Sequence, residues 1–164
     1  MTTAGVHSEI ALLLDLLDHG YDKKAWHGPN LKGSIRGLDA VQACWRPSRG
    51  RHCIAEIVVH AAYWKYAVRR RLRGDKRGSF PLEGSNWFPI THHLSEPQWR
   101  EHVRLLEAEH RTLRAAVATM AAAGLHRNSA GSKYSSASLI EGIAAHDVYH
   151  AGQIQLLKRL QAVG

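Results

Sequence analysis

The chain has 164 residues, 45% of them hydrophobic and 22% charged, which is the size and balance of one soluble globular domain with a core of its own. That composition excludes a fibrous, disordered or disulfide-stapled protein, and no apolar run is long enough to span a bilayer. Two quantities depart from the average, a formal net charge of +8 and twelve histidines. Charge alone admits nucleic acid, an anionic membrane or an acidic small molecule as partner, so its location along the chain has to decide.

In chain order, four segments carry a 3.6-residue apolar period, and the stretches between them hold the Gly, Pro and Ser. The first helix is predicted over residues 4–21, with Ile10, Leu13, Leu14, Leu17 and Tyr21 on one stripe. Its longest apolar stretch, 11–14, is broken by Asp15 and has no basic segment before it, so no export signal is expected. The connection holds Trp26-His27-Gly28-Pro29 and a short helix over 29–38, where Pro29 suits a first turn. The second helix is predicted over 54–72 with Ile57, Ala61, Trp64 and Val68 inward. A Gly/Pro-rich connection over 74–95 ends at Ser95, with Gln98 placed for a capping box.

The third helix follows over 96–123, repeating Trp99, Val103, Leu106, His110, Leu113, Val117 and Met120 until Gly124 stops it. A serine-rich loop around Gly131 leads to the fourth helix, over 138–162. No segment alternates with period two. The expected fold is all-α, one four-helix-bundle domain over 1–164. The long second connection predicts a crossover between helices two and three, and the shorter third one predicts helices three and four as antiparallel neighbours. Cys44 and Cys53 form no C-x-x-C pair and are expected as reduced thiols of a cytoplasmic protein.

The strongest chemical signal is His146-Asp147-Val148-Tyr149-His150. Histidines at i and i+4 share one helical face, one turn apart, so two imidazoles can converge on one ion. With about 100° per residue, this pair falls on the stripe of Leu139, Ile143, Ile154 and Leu157. Two inward imidazoles need partners: a shared metal, or hydrogen bonds to side chains and water. A third ligand has to come from another helix. His60 stands at the edge of the second helix's apolar arc. His110, on the third stripe, falls level with His150 if helices three and four form a hairpin, as an alternative third ligand or a neighbour of the site.

The run from His146 to Ile154 resembles the H-D-x-Y-H-x-G-Q-I signature of the DinB/YfiT-like proteins. Ile54 to Trp64 is similar to that family's I-x-E-x-x-x-H-x-x-x-W segment, and Trp26-His27-Gly28-Pro29 to its W-H-G-P run. The resemblance spans residues 26–154. It implies a four-helix bundle with long crossover connections, and a metal held by His60, His146 and His150 with His110 outside that triad.

Three neutral imidazoles leave a divalent transition ion an open position, the mark of a catalytic site. Zn²⁺ and Ni²⁺ lead the candidates, although imidazole suits Cu and Fe as well. Around the ligands, Asp147, Tyr149 and Gln153 are candidates to orient an imidazole. Glu56 is a candidate ligand or base, with a solvated helix position as the alternative. His27 is a candidate to approach the open metal face.

The resemblance implies transfer of, or isomerisation with, a low-molecular-weight thiol. A hydrolase using activated water and a non-catalytic metal-binding bundle stand as alternatives. The basic run Arg69-Arg70-Arg71-Leu72-Arg73-Gly74-Asp75-Lys76-Arg77 sits where the second helix ends, where cations suit the dipole, and no aromatic residues interleave it as on a nucleic-acid surface. Nucleic acid and membrane are therefore not expected as partners. A small-molecule substrate is, anionic if this run forms its rim, and a homodimer is left open.

Overall fold

The computed structural model describes residues 3–163, so Met1, Thr2 and Gly164 of the expected 1–164 domain lie outside the described residues. It contains helices α1 (Thr3–Tyr21), α2 (Leu31–Ile35), α3 (Ala40–Cys44), α4 (Ile54–Arg73), α5 (Glu96–Ala118) and α6 (Ser136–Val163), with a 3-10 turn at Ala122–Gly124. Among the described residues there is no β-strand, and no helix is long and apolar enough to cross a membrane. The all-α bundle expected from periodicity is present in α1, α4, α5 and α6.

Local chemistry sets the helix ends. Ser95 and Gln98 close the expected capping box around the start of α5, which satisfies two otherwise orphaned amides. Gly74 ends α4 in the left-handed conformation at φ 72°, a backbone that glycine adopts without strain. The single short helix expected over 29–38 is instead two. Asn30 caps α2 by accepting from the Gly33 amide at 2.7 Å, and Asp39 starts α3 with its own capping box to Gln42. Asp39-Gln42 has the spacing of a second N-terminus, and that signal outweighs continuation. α5 ends five residues short of the expected 123, at Ala118. The alanines beyond it turn into the 3-10 segment, so that Ala122 and Leu125 pack down beside Leu13 and Leu17. α6 begins at Ser136 rather than 138, its first turn held by the Ser135 hydroxyl accepting from the Ser138 amide at 3.2 Å.

Two core clusters reveal the helix directions. One joins residues 54–62 of α4 with Trp99 and Leu106 of α5, Tyr21 of α1, and Ile154 and Leu157 of α6. The other joins Val68 with Leu113 and Val117, Leu13 and Leu17, and residues 139–144. α4 and α5 therefore run parallel, and α1 and α6 run opposite to them. The 74–95 connection returns along the bundle as the expected crossover. α5 packs chiefly on α4, and α6 on α1 and α4.

The expectation that the third and fourth long helices are neighbours is corrected: α5 and α6 are diagonal, with α1 and α4 between them. Connection length was a poor guide here because apolar stripes on both faces of α4 draw α5 and α6 to opposite sides of it. Close approach of α1 to α6 depends on Gly20, where a Cβ would stand 2.8 Å from the Ala144 carbonyl oxygen.

Candidate metal centre

His60 lies in the N-terminal half of α4, and His146 and His150 lie one turn apart on α6. The packing of α4 on α6 brings the three together. The Nε2 atoms of His60 and His146 are 3.1 Å apart, and those of His150 and His146 are 3.0 Å apart. One ligand atom from each histidine lies within 4.8 Å of the other two, and the three form a group that can hold a metal ion.

The far side of each ring decides which proton is where. His60 Nδ1 is 2.7 Å from the Asn86 carbonyl oxygen, an obligate acceptor, so Nδ1 carries the proton and Nε2 a bare lone pair. His150 Nδ1 is 2.7 Å from Gln153 Oε1, and the Gln153 amide nitrogen donates to the Tyr149 hydroxyl at 3.0 Å. His150 Nε2 is thus bare as well. Both lone pairs aim at His146 Nε2, whose single position cannot donate to two acceptors, while His146 Nδ1 is buried without a partner. One cation at the convergence point resolves the conflict. Neighbouring donors on an ion with bonds of about 2.05 Å are about 2.9 Å apart in octahedral and about 3.3 Å apart in tetrahedral geometry, and the observed spacings fall between. The residues present fit a divalent transition ion.

Burial favours the neutral, ligating form of all three rings. It lowers His60, takes His150 down to about 4 against the opposing bond from Gln153, and takes His146 to about 3 with help from the neighbouring imidazoles.

The crossover connection covers the group. Trp87 stacks on His60 at 3.9 Å between ring centroids, and His52 stacks on the other face of Trp87 at 3.6 Å. Asn86 holds the left-handed conformation at φ 63°, which lets its carbonyl take His60 while its side chain accepts from Trp64 Nε1 at 2.9 Å. Asn is among the few residues that enter this region readily.

The other candidates separate. Gln153 touches a ligand directly, and Tyr149 supports Gln153. Asp147, next to His146 in sequence, turns the opposite way: it is fully buried and bonded to the Lys65 ammonium. His110 lies in that same cluster, stacked on Tyr21 at 3.8 Å with Nδ1 3.3 Å from Lys65 Nζ. It is therefore outside the three-histidine group. The hairpin count put it at about the right height, but its diagonal helix leaves the Lys65 side chain of α4 between it and α6.

The solvated reading of Glu56 is corrected, since that residue is 4% exposed. Burial pulls its carboxyl upward, but bidentate Arg46, the Ile90 amide and His52 overcome this and hold it at about 2. His27 is exposed and lines a groove with Asp15, His19, Glu141 and Val148, a groove that includes none of the triad. Sequence reasoning missed Lys65, Asn86 and Trp87. For Lys65 a signal existed, because a lysine falls inside the buried arc of α4. For the two loop residues no periodicity could supply one.

Acid should weaken the metal-free protein, and the sign is set by the histidines. Folded values below the ordinary 6.5 mean that the unfolded chain binds more protons. Their stabilisation is whole above pH 6.5 and is lost as pH falls toward about 3. His60, His146, His150, His110 and His102 all contribute in that direction. Among the described residues, Asp147, raised to about 6 by burial, is the group that opposes them in this range. Thermal unfolding in chelator is expected to show a lower midpoint at pH 5 than at pH 7. An equal or higher midpoint at pH 5 contradicts the neutral, buried triad.

In comparison with known proteins, the family model described as the DinB superfamily matches residues 25–154. No curated protein and no solved structure matches the chain.

Proposed function

The chain belongs to the DinB superfamily, and on that basis we propose that it is a metal-dependent transferase acting with a low-molecular-weight thiol. His60, His146 and His150 would hold one divalent transition ion, Zn²⁺ or Ni²⁺. The observation that carries this reading is the convergence of bare Nε2 lone pairs on one point. Bound there by three neutral imidazoles, such an ion supplies an open position and Lewis acidity that lowers the pKa of a thiol or of water.

The chain's own residues favour the thiol over water. A hydrolase benefits from a positioned carboxylate that takes a proton from water. Glu56 is held ionised by Arg46 and Asp147 is bonded to Lys65, so both carboxylates closest to the ligands in sequence are committed to cations. A thiol, already acidic compared with water, needs no such base once its pKa is lowered. Asn86 and Gln153 keep two imidazoles in the ligating tautomer. Trp87 shields the His60 face from water, and the exposed Tyr149, whose hydroxyl accepts from Gln153, keeps its own proton free to donate to an incoming group. Two free cysteines fit a reducing, cytoplasmic setting.

The test is conjugation of an electrophile such as chlorodinitrobenzene by the metal-loaded protein with a panel of small thiols. Turnover is expected with at least one thiol, to fall to background on chelation and to return on adding Zn²⁺ or Ni²⁺. Full turnover after chelation overturns the reading. Metal binding with no thiol turned over leaves the non-catalytic bundle in its place.

A further inference from the structure

We propose that the cavity between the C-terminal half of α4 and the 77–86 segment binds an anionic small molecule that carries a ring. The cavity measures about 640 Å³, within the range of about 300–1,000 Å³ typical of small-molecule sites. One part of its wall is aromatic: Tyr63 and Tyr66 each pack on Phe80 at 5.4 Å between centroids. The other part is cationic, built from Arg70, Arg71 and Arg77. Rings beside guanidinium groups suit a planar body with a phosphate or carboxylate.

The basic run at this helix end has two components. Arg73 is exposed and paired with Asp75 at 3.0 Å, and Arg69 bonds Glu109 at 3.2 Å. These behave as an ordinary solvated or bridged helix end. Arg71 does not. Its Nε, like that of Arg69, is buried with no hydrogen-bond partner, but unlike Arg69 it has no carboxylate partner among the described residues, and neither has Arg77. A buried guanidinium nitrogen without an acceptor is costly, and an anion in the cavity would supply one. Glu83 also lines the space, so two of the three positive charges remain uncompensated.

The carbonyls of Arg70 and Arg71, which would repel an anion, are already covered by the Gly74 amide. The Tyr66 hydroxyl accepts from the Gly78 and Ser79 amides at 3.2 and 3.3 Å, which fixes its ring in the wall. Asn86, which also lines the cavity, is the residue whose carbonyl takes His60 Nδ1. The cavity therefore backs onto the histidine group through one shared residue, on the side of His60 away from the convergence point.

Calorimetric titration of the metal-loaded protein with phenyl phosphate tests it. Binding of about one molecule per chain is expected, tighter than inorganic phosphate, and weakened about tenfold or more in Arg71→Gln as a charge-assisted contact is lost. Arg77→Gln should weaken it less, and the exposed Arg49→Gln should leave it unchanged. The metal-free His146→Ala/His150→Ala variant should keep the binding. Absence of binding to the wild type overturns the proposal. Unchanged affinity in the Arg71→Gln/Arg77→Gln double variant, with a native circular dichroism spectrum, also overturns it. So does binding that disappears with the histidines, because the phosphate would then sit on the metal.

Discussion

Replacing His146 and His150 together by alanine is expected to take bound metal from about one ion per chain, the stoichiometry of a three-histidine site, to none detectable by elemental analysis. The two imidazoles supply two of the three donors, and His60 alone offers an ion no chelate. His60→Ala should weaken binding sharply for the same reason. Gln153→Ala should weaken it about 10- to 100-fold by freeing the His150 ring, since the 2.7 Å bond to Oε1 holds its tautomer. His110→Asn should retain the metal, because that ring faces Lys65 and Tyr21 rather than the convergence point. Wild-type metal content in the double alanine variant would remove the site. Loss of metal in a folded His110→Asn variant would mean that the first coordination sphere includes a residue from α5.

Lys65→Met is expected to destabilise the protein by about 3–5 kcal/mol, the usual result of leaving one charge of a buried pair without its partner. Lys65 and Asp147 are both 0% exposed. Burial holds the aspartate at about 6 even beside the ammonium. Asp147 Oδ1 already lacks a partner, so removing Lys65 leaves the whole carboxyl unsatisfied. The double variant Lys65→Met/Asp147→Leu should recover most of the loss, since apolar replacements of a buried ion pair are often neutral or stabilising. Urea unfolding of the two single variants and the double variant gives the coupling energy. An additive cycle would show that the pair does not act as a unit.

The Lys65–Asp147 pair also joins α4 to α6, the helices that carry all three histidines. The double variant therefore separates two roles. Recovered stability with weakened metal binding is expected if the pair sets the spacing of the ligands.

The four long helices and the convergent pair His146 and His150 were legible in the sequence, whereas His60 rather than His110 as the third member came from the family resemblance. Periodicity at 3.6 residues is a local property, and so are the Ser95-Gln98 box, the Gly74 stop and the i, i+4 spacing of His146 and His150, so each is legible without knowing what packs where. The buried pair was half legible. On a wheel of about 100° per residue, Lys65 falls within the arc of Ile54, Val58 and Ala61, and Asp147 lies at the centre of Ile140, Ala144, Ala151 and Ile154. Two charges facing inward on different helices indicate a pair, yet nothing in one sequence says that these helices touch. That α4 lies between α5 and α6 was not legible in the sequence. That arrangement sends His110 to Lys65 and leaves the triad to α4 and α6, because helix order depends on the summed burial of stripes from all four helices. The tertiary structure also placed Asn86 and Trp87 over His60 and tied Glu56 to Arg46. Those residues come from irregular connections, whose path is set by the partners their backbone and side chains find.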